Sequence, residues 1–174
     1  VRYADDFIVG FQHRGDADRF LDDLRERLGR FSLELHSEKT RLIEFGRYAA
    51  TRRGERGLGK PETFDFLGFT HICARTQKGA FLVQRRTMRK RMRAKLRDVR
   101  EGLRQRRHLS FAEQGQWLGA VVRGYFAYHA VPANIHALSR FRTQVARHWR
   151  RALRRRSQRD RTNWARLQRH LQQW

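Results

Sequence analysis

Hydrophobic residues are spaced differently in the two halves of the chain. In the first half, short apolar runs of strand length alternate with turn-forming residues. One segment instead has apolar residues three or four positions apart, from Phe20 to Leu28. That spacing predicts a helix. We expect Asp16 to cap its first turn and Gly29 to end it.

Three strands are predicted at residues 40–45, 64–73 and 80–84, where β-branched and aromatic residues are frequent. A turn at 77–79 joins the last two. Residues 46–61 are rich in Gly and Arg, which is typical of an exposed loop. Two interpretations of this loop stay open: a basic segment that becomes ordered on RNA, or a plain connector.

The second half has the spacing of helices. Residues 85–107 are predicted to form a strongly basic helix with one apolar stripe. The stripe consists of Met88, Met92, Leu96, Val99 and Leu103. Ser110 and Glu113 have the capping-box pattern that begins a second helix.

Pro132 is placed to open a third helix at a position that proline favours. Its buried seam is predicted to be Ile135, Leu138, Phe141, Val145, Trp149 and Leu153. Asp160 or Thr162 is placed to cap a fourth helix. That helix carries the apolar residues Trp164, Leu167, Leu171 and Trp174. Three or four such helices in succession predict a bundle.

Charge divides the chain near residue 84. The whole chain has 40 Lys and Arg against 17 Asp and Glu, a formal net charge of +23. Residues 1–84 hold 15 basic and 13 acidic residues, whereas residues 85–174 hold 25 basic and 4 acidic ones. Such a charge is typical of a nucleic-acid-binding protein. The helical spacing and the aromatic residues favour a packed structure over a disordered basic tail.

Composition also excludes some classes of protein. One cysteine, Cys73, cannot form an intrachain disulfide or a cysteine-based zinc site, and we expect a buried thiol on a strand. No apolar stretch approaches the roughly 18 residues of a membrane span, so we expect no membrane partner. Because the chain opens on Val1 inside a motif, we expect a fragment without its N-terminal portion.

Two adjacent carboxylates lie near the start of the chain. Short apolar runs on either side of Asp5 and Asp6 read as the arms of a β-hairpin, with the two aspartates at its tip. Carboxylates that close repel each other, and a hard cation such as Mg²⁺ relieves the repulsion. Taken alone, the pair is also typical of an ordinary acidic turn.

Four segments resemble, in the same order, motifs of one family. They are Tyr3-Ala4-Asp5-Asp6, Leu33-Glu34-Leu35-His36-Ser37-Glu38-Lys39-Thr40, Phe64-Asp65-Phe66-Leu67-Gly68-Phe69, and the run from Arg123 to Pro132. The first is similar to the Tyr-x-Asp-Asp signature of reverse transcriptases, and the last resembles the maturase signature. The chain therefore resembles the C-terminal palm, thumb and maturase region of a group II intron-encoded reverse transcriptase.

The resemblance implies an α+β fold with two parts. Residues 1–84 would be a partial reverse-transcriptase palm, an antiparallel sheet with a packed helix. Residues 85–174 would be an all-α thumb and maturase-specific bundle. The implied activity is that of an RNA-directed DNA polymerase, a nucleotidyltransferase of a mobile element, with intron RNA binding and splicing assistance.

The resemblance also implies the site residues. Asp5, Asp6 and Lys39 would be catalytic, and the two aspartates would hold Mg²⁺ in a two-metal site. That site is incomplete, since a further upstream aspartate and the fingers are not in this chain. We therefore predict that the chain alone cannot synthesise DNA. For Lys39, a solvated surface lysine is the alternative.

Further residues are implied to contact nucleic acid. The primer-binding residues would be Phe66, Leu67, Gly68 and Phe69. The RNA-binding residues would be Arg123, Tyr125, Tyr128, His129, Arg150, Arg151, Arg154, Arg155 and Arg156. A buried strand with a bulge is the alternative for the first group. Core packing is the alternative for the two tyrosines, and part of the arginine run also stabilises a helix end.

The implied partners are group II intron RNA, an RNA template with a DNA primer, and deoxynucleoside triphosphates. The expected location is the bacterial cytoplasm, at the nucleoid through the nucleic acid, with an organelle left open. The alternative function is a non-catalytic RNA-binding maturase module. Asp5 and Asp6 separate the two functions, because a binding module has no use for unpaired acids beside RNA.

Overall fold

The computed structural model describes residues 1–156 and 164–171, without the side chains of Arg166 and His170. These residues form two compact units, Val1–Glu44 and a second unit that begins at Phe45. Helices and small antiparallel sheets both occur, which agrees with the predicted mixed fold class. The division near residue 84 into palm and maturase parts stays a prediction.

The first unit contains a hairpin and a helix. Its elements are β1 (Arg2–Tyr3), β2 (Asp6–Phe7) and α1 (Arg14–Gly29). The helix ends at the predicted glycine, but its N-cap is His13 and Asp16 lies inside the first turn. Asp16 therefore favours the helix through the helix dipole and an ion pair with Arg19, and the predicted cap is wrong.

The strand predicted at residues 40–45 is absent, and this segment has irregular structure. A strand is stable only within a hydrogen-bonded sheet. None of the strands in the described part of the chain pairs with these residues. Local propensity for extended structure is therefore insufficient here.

The second unit begins with a short helix and a three-stranded sheet. Its first elements are α2 (Ala49–Glu55), β3 (Phe64–Phe66), β4 (Phe69–Arg75) and β5 (Phe81–Thr87). The strands are antiparallel in the order β3-β4-β5. The segment predicted as one strand at 64–73 is thus two strands of a hairpin. The loop predicted at 46–61 contains α2, which has a buried contact through Ala49.

Four helices follow the sheet. They are α3 (Arg89–Gln105), α4 (Phe111–His129), α5 (Ile135–Arg154) and α6 (Trp164–Leu171). Helix α3 begins later than predicted, because residues 85–87 belong to β5. The capping box of α4 is confirmed: the Ser110 hydroxyl accepts from the Glu113 amide, and the Glu113 carboxylate accepts from the Ser110 amide.

The start of α5 differs from the prediction. The helix begins at Ile135 with Asn134 as its N-cap, so Pro132 lies in the preceding turn. Ile135 is 65% exposed and does not belong to the buried seam. The caps predicted at Asp160 and Thr162, and the apolar residue Trp174, lie outside the described residues.

The core of the second unit lies between its helices. It consists of Val99, Leu103, Leu118, Val122, Tyr125, Leu138, Phe141, Val145, Ala146, Trp149, Leu153, Leu167 and Leu171. The other five predicted seam residues of α5 are all in this set. Four of the five residues of the predicted α3 stripe pack in or against this core, with Met92 and Leu96 at its edge. Met88 is instead the N-cap that precedes the helix. Helix α5 packs on α3, α4 and α6, as expected for a bundle.

A buried glutamine joins three parts of the bundle. Gln114 is 1% exposed, and its side-chain amide donates to the Arg106 carbonyl at 2.8 Å. Its side-chain oxygen accepts from the Trp149 indole N–H at 3.0 Å. Both ends of the side chain are therefore paired, which removes the cost of burying a polar group.

A second buried polar contact joins the sheet to the bundle. The Asn134 side chain accepts from the Thr87 amide at 3.1 Å and donates to the Thr87 hydroxyl at 2.8 Å. It also donates to the His129 carbonyl at 2.9 Å. We call these three bonds the Asn134 clasp. They connect the end of β5, the end of α4 and the start of α5.

Among the described residues, no helix is long and apolar enough to cross a membrane.

The structure predicts opposite effects for two glycine substitutions in the bundle. A Cβ atom on Gly102 would lie 2.6 Å from two ring carbons of Trp117, whereas Gly124 has open space around it. Gly102→Ala should therefore lower the unfolding free energy by about 1–3 kcal/mol through overpacking. Gly124→Ala, the matched control, should raise it by about 0.5–1 kcal/mol through helix propensity. Chemical denaturation measures both, and equal effects would contradict the packing.

Candidate nucleic-acid interface and carboxylate hairpin

The acidic hairpin forms, but its turn is shifted by one residue. Arg2 pairs with Phe7 and Tyr3 pairs with Asp6, so Ala4 and Asp5 make the two-residue turn. Asp5 is thus at the tip, whereas Asp6 begins the second strand. The predicted turn at Asp5 and Asp6 is corrected accordingly, because tight hairpins close with two central residues.

The turn places a non-glycine residue in a strained conformation. Ala4 has a φ of 52°, in the left-handed region that favours glycine. Two-residue hairpin turns require a positive φ at their first central residue, and alanine meets that requirement at a cost of about 1–2 kcal/mol. Strain of this kind is found more often at functional sites than elsewhere.

Both carboxylates of the hairpin are exposed. No ion pair or side-chain hydrogen bond holds Asp5 or Asp6 among the residues described. Adjacent free carboxylates have the donor chemistry of a partial Mg²⁺ site, since Mg²⁺ binds one or two carboxylates together with substrate phosphates. Across the described chain, no group of three or more His, Cys, Asp or Glu side chains is placed to hold a metal by itself.

Lys39 is exposed in a turn, where its amide donates to the His36 carbonyl at 3.1 Å. In the described part of the first unit, it has no ion pair with either aspartate. Its predicted catalytic role stays a prediction, as does the alternative of a solvated lysine.

The second unit holds the predicted primer-binding segment as a tight turn. Leu67 and Gly68 both have a positive φ, of 48° and 78°, as a type I′ hairpin turn requires. The Tyr128 hydroxyl donates to the Leu67 carbonyl at 2.8 Å, and its ring stacks on Phe69. The turn is therefore held from the end of α4, and Leu67 remains 37% exposed. The alternative of a bulged buried strand does not describe this geometry.

The tyrosines of the maturase-like segment differ in environment. Tyr125 is 6% exposed and stacks on Phe141 with ring centroids 3.6 Å apart. It has too little free surface to stack on a base, so the core alternative holds for Tyr125 in this structure. Tyr128 is 56% exposed, and one part of its ring stays accessible. Arg123 is exposed on the same helix.

Three histidines in the second unit have lowered pKa values. Burial lowers the pKa of His129, partly offset by its bond to the Tyr125 carbonyl. Burial also lowers the pKa of His71, which stacks on Phe64. For His148, burial is again the main cause, and the charges of Arg151 and Arg100 lower the pKa further. Burial thus favours the neutral form of each imidazole.

The arginines of the predicted run differ in their environment. Arg151, Arg154, Arg155 and Arg156 are exposed at the end of α5. Arg150 is half-buried, with its guanidinium 5.4 Å from the Trp164 ring of α6. Arg150 therefore packs two helices together, because a guanidinium over an indole ring is attracted to it. Its predicted RNA contact stays a prediction.

Two arginines with structural contacts were not singled out from the sequence. Arg142 donates to the carbonyl of Leu171 at the end of α6. Arg106 lies 4.6 Å from the Trp117 ring and donates to the Gly102 carbonyl. Trp117 signals the contact of Arg106 in the sequence, whereas no nearby residue type signals the contact of Arg142 with the Leu171 backbone.

Positive charge is concentrated on two helices that pack on each other. Helix α3 carries eight basic and two acidic residues, and α5 carries six basic residues and no acidic one. Their apolar sides are in the core, and their basic side chains are exposed except for Arg142 and Arg150, which are half-buried. In the described part of α3, the ion pair between Arg104 and Glu101 leaves most of these charges unneutralised. Such a surface suits a polyanion.

One comparison with known proteins finds a similarity in the first part of the chain. Residues 1–71 match the family described as Reverse transcriptase (RNA-dependent DNA polymerase). The matched segment includes Asp5, Asp6, Lys39 and the turn at Leu67 and Gly68. A reverse-transcriptase-related function and a nucleotidyltransferase family are therefore indicated for it. No curated protein and no solved structure matches the chain.

The three histidines predict how stability depends on pH. Their pKa values are lowered in the folded state, so the unfolded chain binds more protons below about pH 6.5. The unfolding free energy should be greatest above pH 6.5 and should fall between pH 6.5 and 5. Chemical denaturation across this range measures it. His129→Gln should make the decrease in unfolding free energy smaller. An unfolding free energy that is constant from pH 7 to pH 5 would contradict the burial of the three histidines.

Proposed function

We propose that the chain is part of a group II intron-type reverse transcriptase and maturase. It would act in an RNA-directed DNA polymerase that also binds its intron RNA and assists splicing. The observation that carries this proposal is the reverse-transcriptase match of residues 1–71, with its exposed acidic pair, in one chain with a basic helical bundle. The four ordered motif resemblances support the group II intron type.

The role of the acidic pair follows from its chemistry. Asp5 and Asp6 would hold Mg²⁺, since both are exposed and unpaired among the described residues. Bound Mg²⁺ supplies activation of a primer 3′ hydroxyl and neutralisation of the departing pyrophosphate in such polymerases. Lys39 would place a cation near the phosphates of a deoxynucleoside triphosphate. The turn at Leu67 and Gly68 would position the primer strand on its RNA template.

The helical bundle would bind the intron RNA. The exposed arginines at the end of α5 supply charge for phosphate contacts, and Arg123 and Tyr128 present a guanidinium and an aromatic ring on α4. We propose a location with the nucleic acid, in the bacterial cytoplasm at the nucleoid.

A non-catalytic RNA-binding maturase module is the second candidate function. It is favoured by one observation: the described residues contain no group of three metal-ligating side chains. A complete two-metal centre needs more ligands than one carboxylate pair. The basic surface of the bundle serves both candidates equally.

These 174 residues by themselves should not extend a primer. Asp5 and Asp6 supply only part of a two-metal site, so an RNA template with a DNA primer, Mg²⁺ and deoxynucleoside triphosphates should give no product. Gel analysis of a labelled primer measures this, and an RNA-binding assay on the same preparation shows that the protein is functional. Mg²⁺-dependent extension that disappears in Asp5→Asn would overturn the expectation.

Neutralising the exposed arginines of α5 should weaken RNA binding. We expect the triple variant Arg151→Gln, Arg154→Gln, Arg155→Gln to bind a structured RNA hairpin less tightly. The slope of log K against log salt should fall by about one for each phosphate that the variant no longer neutralises. Fluorescence anisotropy at several salt concentrations measures both quantities.

The matched control carries the same charge change in the first unit. Arg14→Gln, Arg19→Gln, Arg25→Gln removes three arginines of α1, each of which already pairs with an aspartate. The control should retain the salt slope of the unaltered chain. Equal weakening in the two triple variants would show that only total charge matters and would refute a binding surface on α5.

A further inference from the structure

A cavity in the second unit has the features of a nucleotide site. It has a volume of about 470 Å³ and lies where α2 approaches the hairpin of β4 and β5. Its lining consists of Arg47, Tyr48, Thr51, Arg75, Gly79, Ala80 and Phe81. We propose that this cavity binds one unpaired nucleotide of a nucleic-acid strand. The base would stack on Tyr48, and its phosphate would lie between Arg47 and Arg75.

The charge of the lining favours a phosphate. Two arginines line the cavity, and none of its lining residues is acidic. Within the described residues, neither Arg47 nor Arg75 has a carboxylate within 4.0 Å. Both side chains are exposed. Guanidinium groups without a carboxylate partner are free to make paired hydrogen bonds to phosphate oxygens.

The aromatic residues of the lining favour a base. Tyr48 is 61% exposed, so its ring is accessible to a ligand. The guanidinium of Arg52 lies 5.9 Å from the ring centroid. Phe81 pairs with Arg75 across the two strands, so their side chains point to the same face of the sheet. Proteins that bind unpaired strands combine stacking rings and arginines in this way.

The cavity is built from segments that hydrogen bonds hold in place. The Gly46 amide donates to the Cys73 thiol at 3.3 Å, which ties the residue before Arg47 to β4. Arg53 donates to the Gly59 carbonyl and lies 3.7 Å from Glu62, so the far end of α2 is also held. A site ordered before the ligand arrives loses less entropy on binding.

The size of the cavity limits the occupant. About 470 Å³ is enough for one base with its sugar and phosphate. A free nucleotide and a nucleotide within a strand offer the same base and phosphate. We assign the strand, because the +23 charge of the whole chain attracts a polyanion far more strongly than a monomer. None of the lining residues is used in the proposed polymerase and maturase roles.

Photocrosslinking tests the site directly. The intact chain is mixed with a four-nucleotide RNA or DNA that carries 4-thiouridine or 4-thiothymidine, irradiated, digested and analysed by mass spectrometry. We expect the crosslink in the peptides that contain Tyr48 or Phe81. Crosslinks confined to other parts of the chain would overturn the proposal. Uridine 5′-monophosphate and a duplex are the competitors, and displacement by either at the same concentration as the tetramer would also overturn it.

Variants distinguish stacking and phosphate pairing from a loss of fold. Tyr48→Ala should weaken tetramer binding about tenfold, whereas Tyr48→Phe should retain it, because the ring and not the hydroxyl stacks. Arg47→Gln with Arg75→Gln should lower the salt slope by about 0.7. The matched control is Arg14→Gln with Lys60→Gln, two exposed cations outside the lining, and it should retain both properties.

Two outcomes separate this site from the proposed function. If the α5 triple variant binds the RNA hairpin normally but the Tyr48 crosslink forms, the maturase surface is wrong and the nucleotide site stands. If Tyr48→Ala binds the tetramer as well as the unaltered chain does, and circular dichroism shows a folded protein, the nucleotide site is wrong whatever α5 does.

Discussion

Burial of the apolar seam of α5 holds the helical bundle together against its own charge. Helix α5 carries six basic residues and no acidic one, yet Phe141, Val145 and Trp149 on its other side are fully buried. Each such side chain contributes about 1.5–3 kcal/mol. Two cations about 4 Å apart in water repel each other by only about 1 kcal/mol. The free energy gained by burial therefore exceeds the repulsion between neighbouring cations, so the bundle can carry positive charge on its surface.

The same balance explains why the helical half was predictable. The packing of a long helix is visible in its own sequence, because the residues that it buries are regularly spaced. In α3, apolar residues recur every three or four positions. Capping by Ser110 and Glu113 is also local, and it was correctly predicted. The predicted starts of α3 and α5 are wrong, because residues 85–87 pair with β4 and because α5 is capped by Asn134, which bonds to Thr87, 47 residues away.

The strands were less predictable because a strand depends on its neighbour. Residues 40–45 have suitable side chains but no pairing partner within the described chain, and they stay irregular. The turn at Leu67 and Gly68 divides a continuous apolar run that looks like one strand. Nothing in that run alone indicates that the hydroxyl of Tyr128, 61 residues away, holds the turn.

Some features of the candidate site could be predicted from the sequence, and others could not. It correctly indicated that Asp5 and Asp6 belong to an exposed hairpin, since turn chemistry is local. It could not indicate which aromatic or basic residues are used for packing. Tyr125 and Arg150 lie in contacts with Phe141 and Trp164, while chemically identical neighbours face solvent. A count of arginines therefore overestimates the surface that is available to RNA.

The Asn134 clasp has a mechanical consequence. Between β5 and α3 only Met88 intervenes, a place where two folded parts of a chain often rotate about each other. Here rotation would break the two hydrogen bonds between Asn134 and Thr87, each contributing about 0.5–1.5 kcal/mol. These bonds restrain rotation at the junction between β5 and α3, which is therefore rigid and not a hinge. Any strand that rests on the Leu67 and Gly68 turn would move in step with the basic helices.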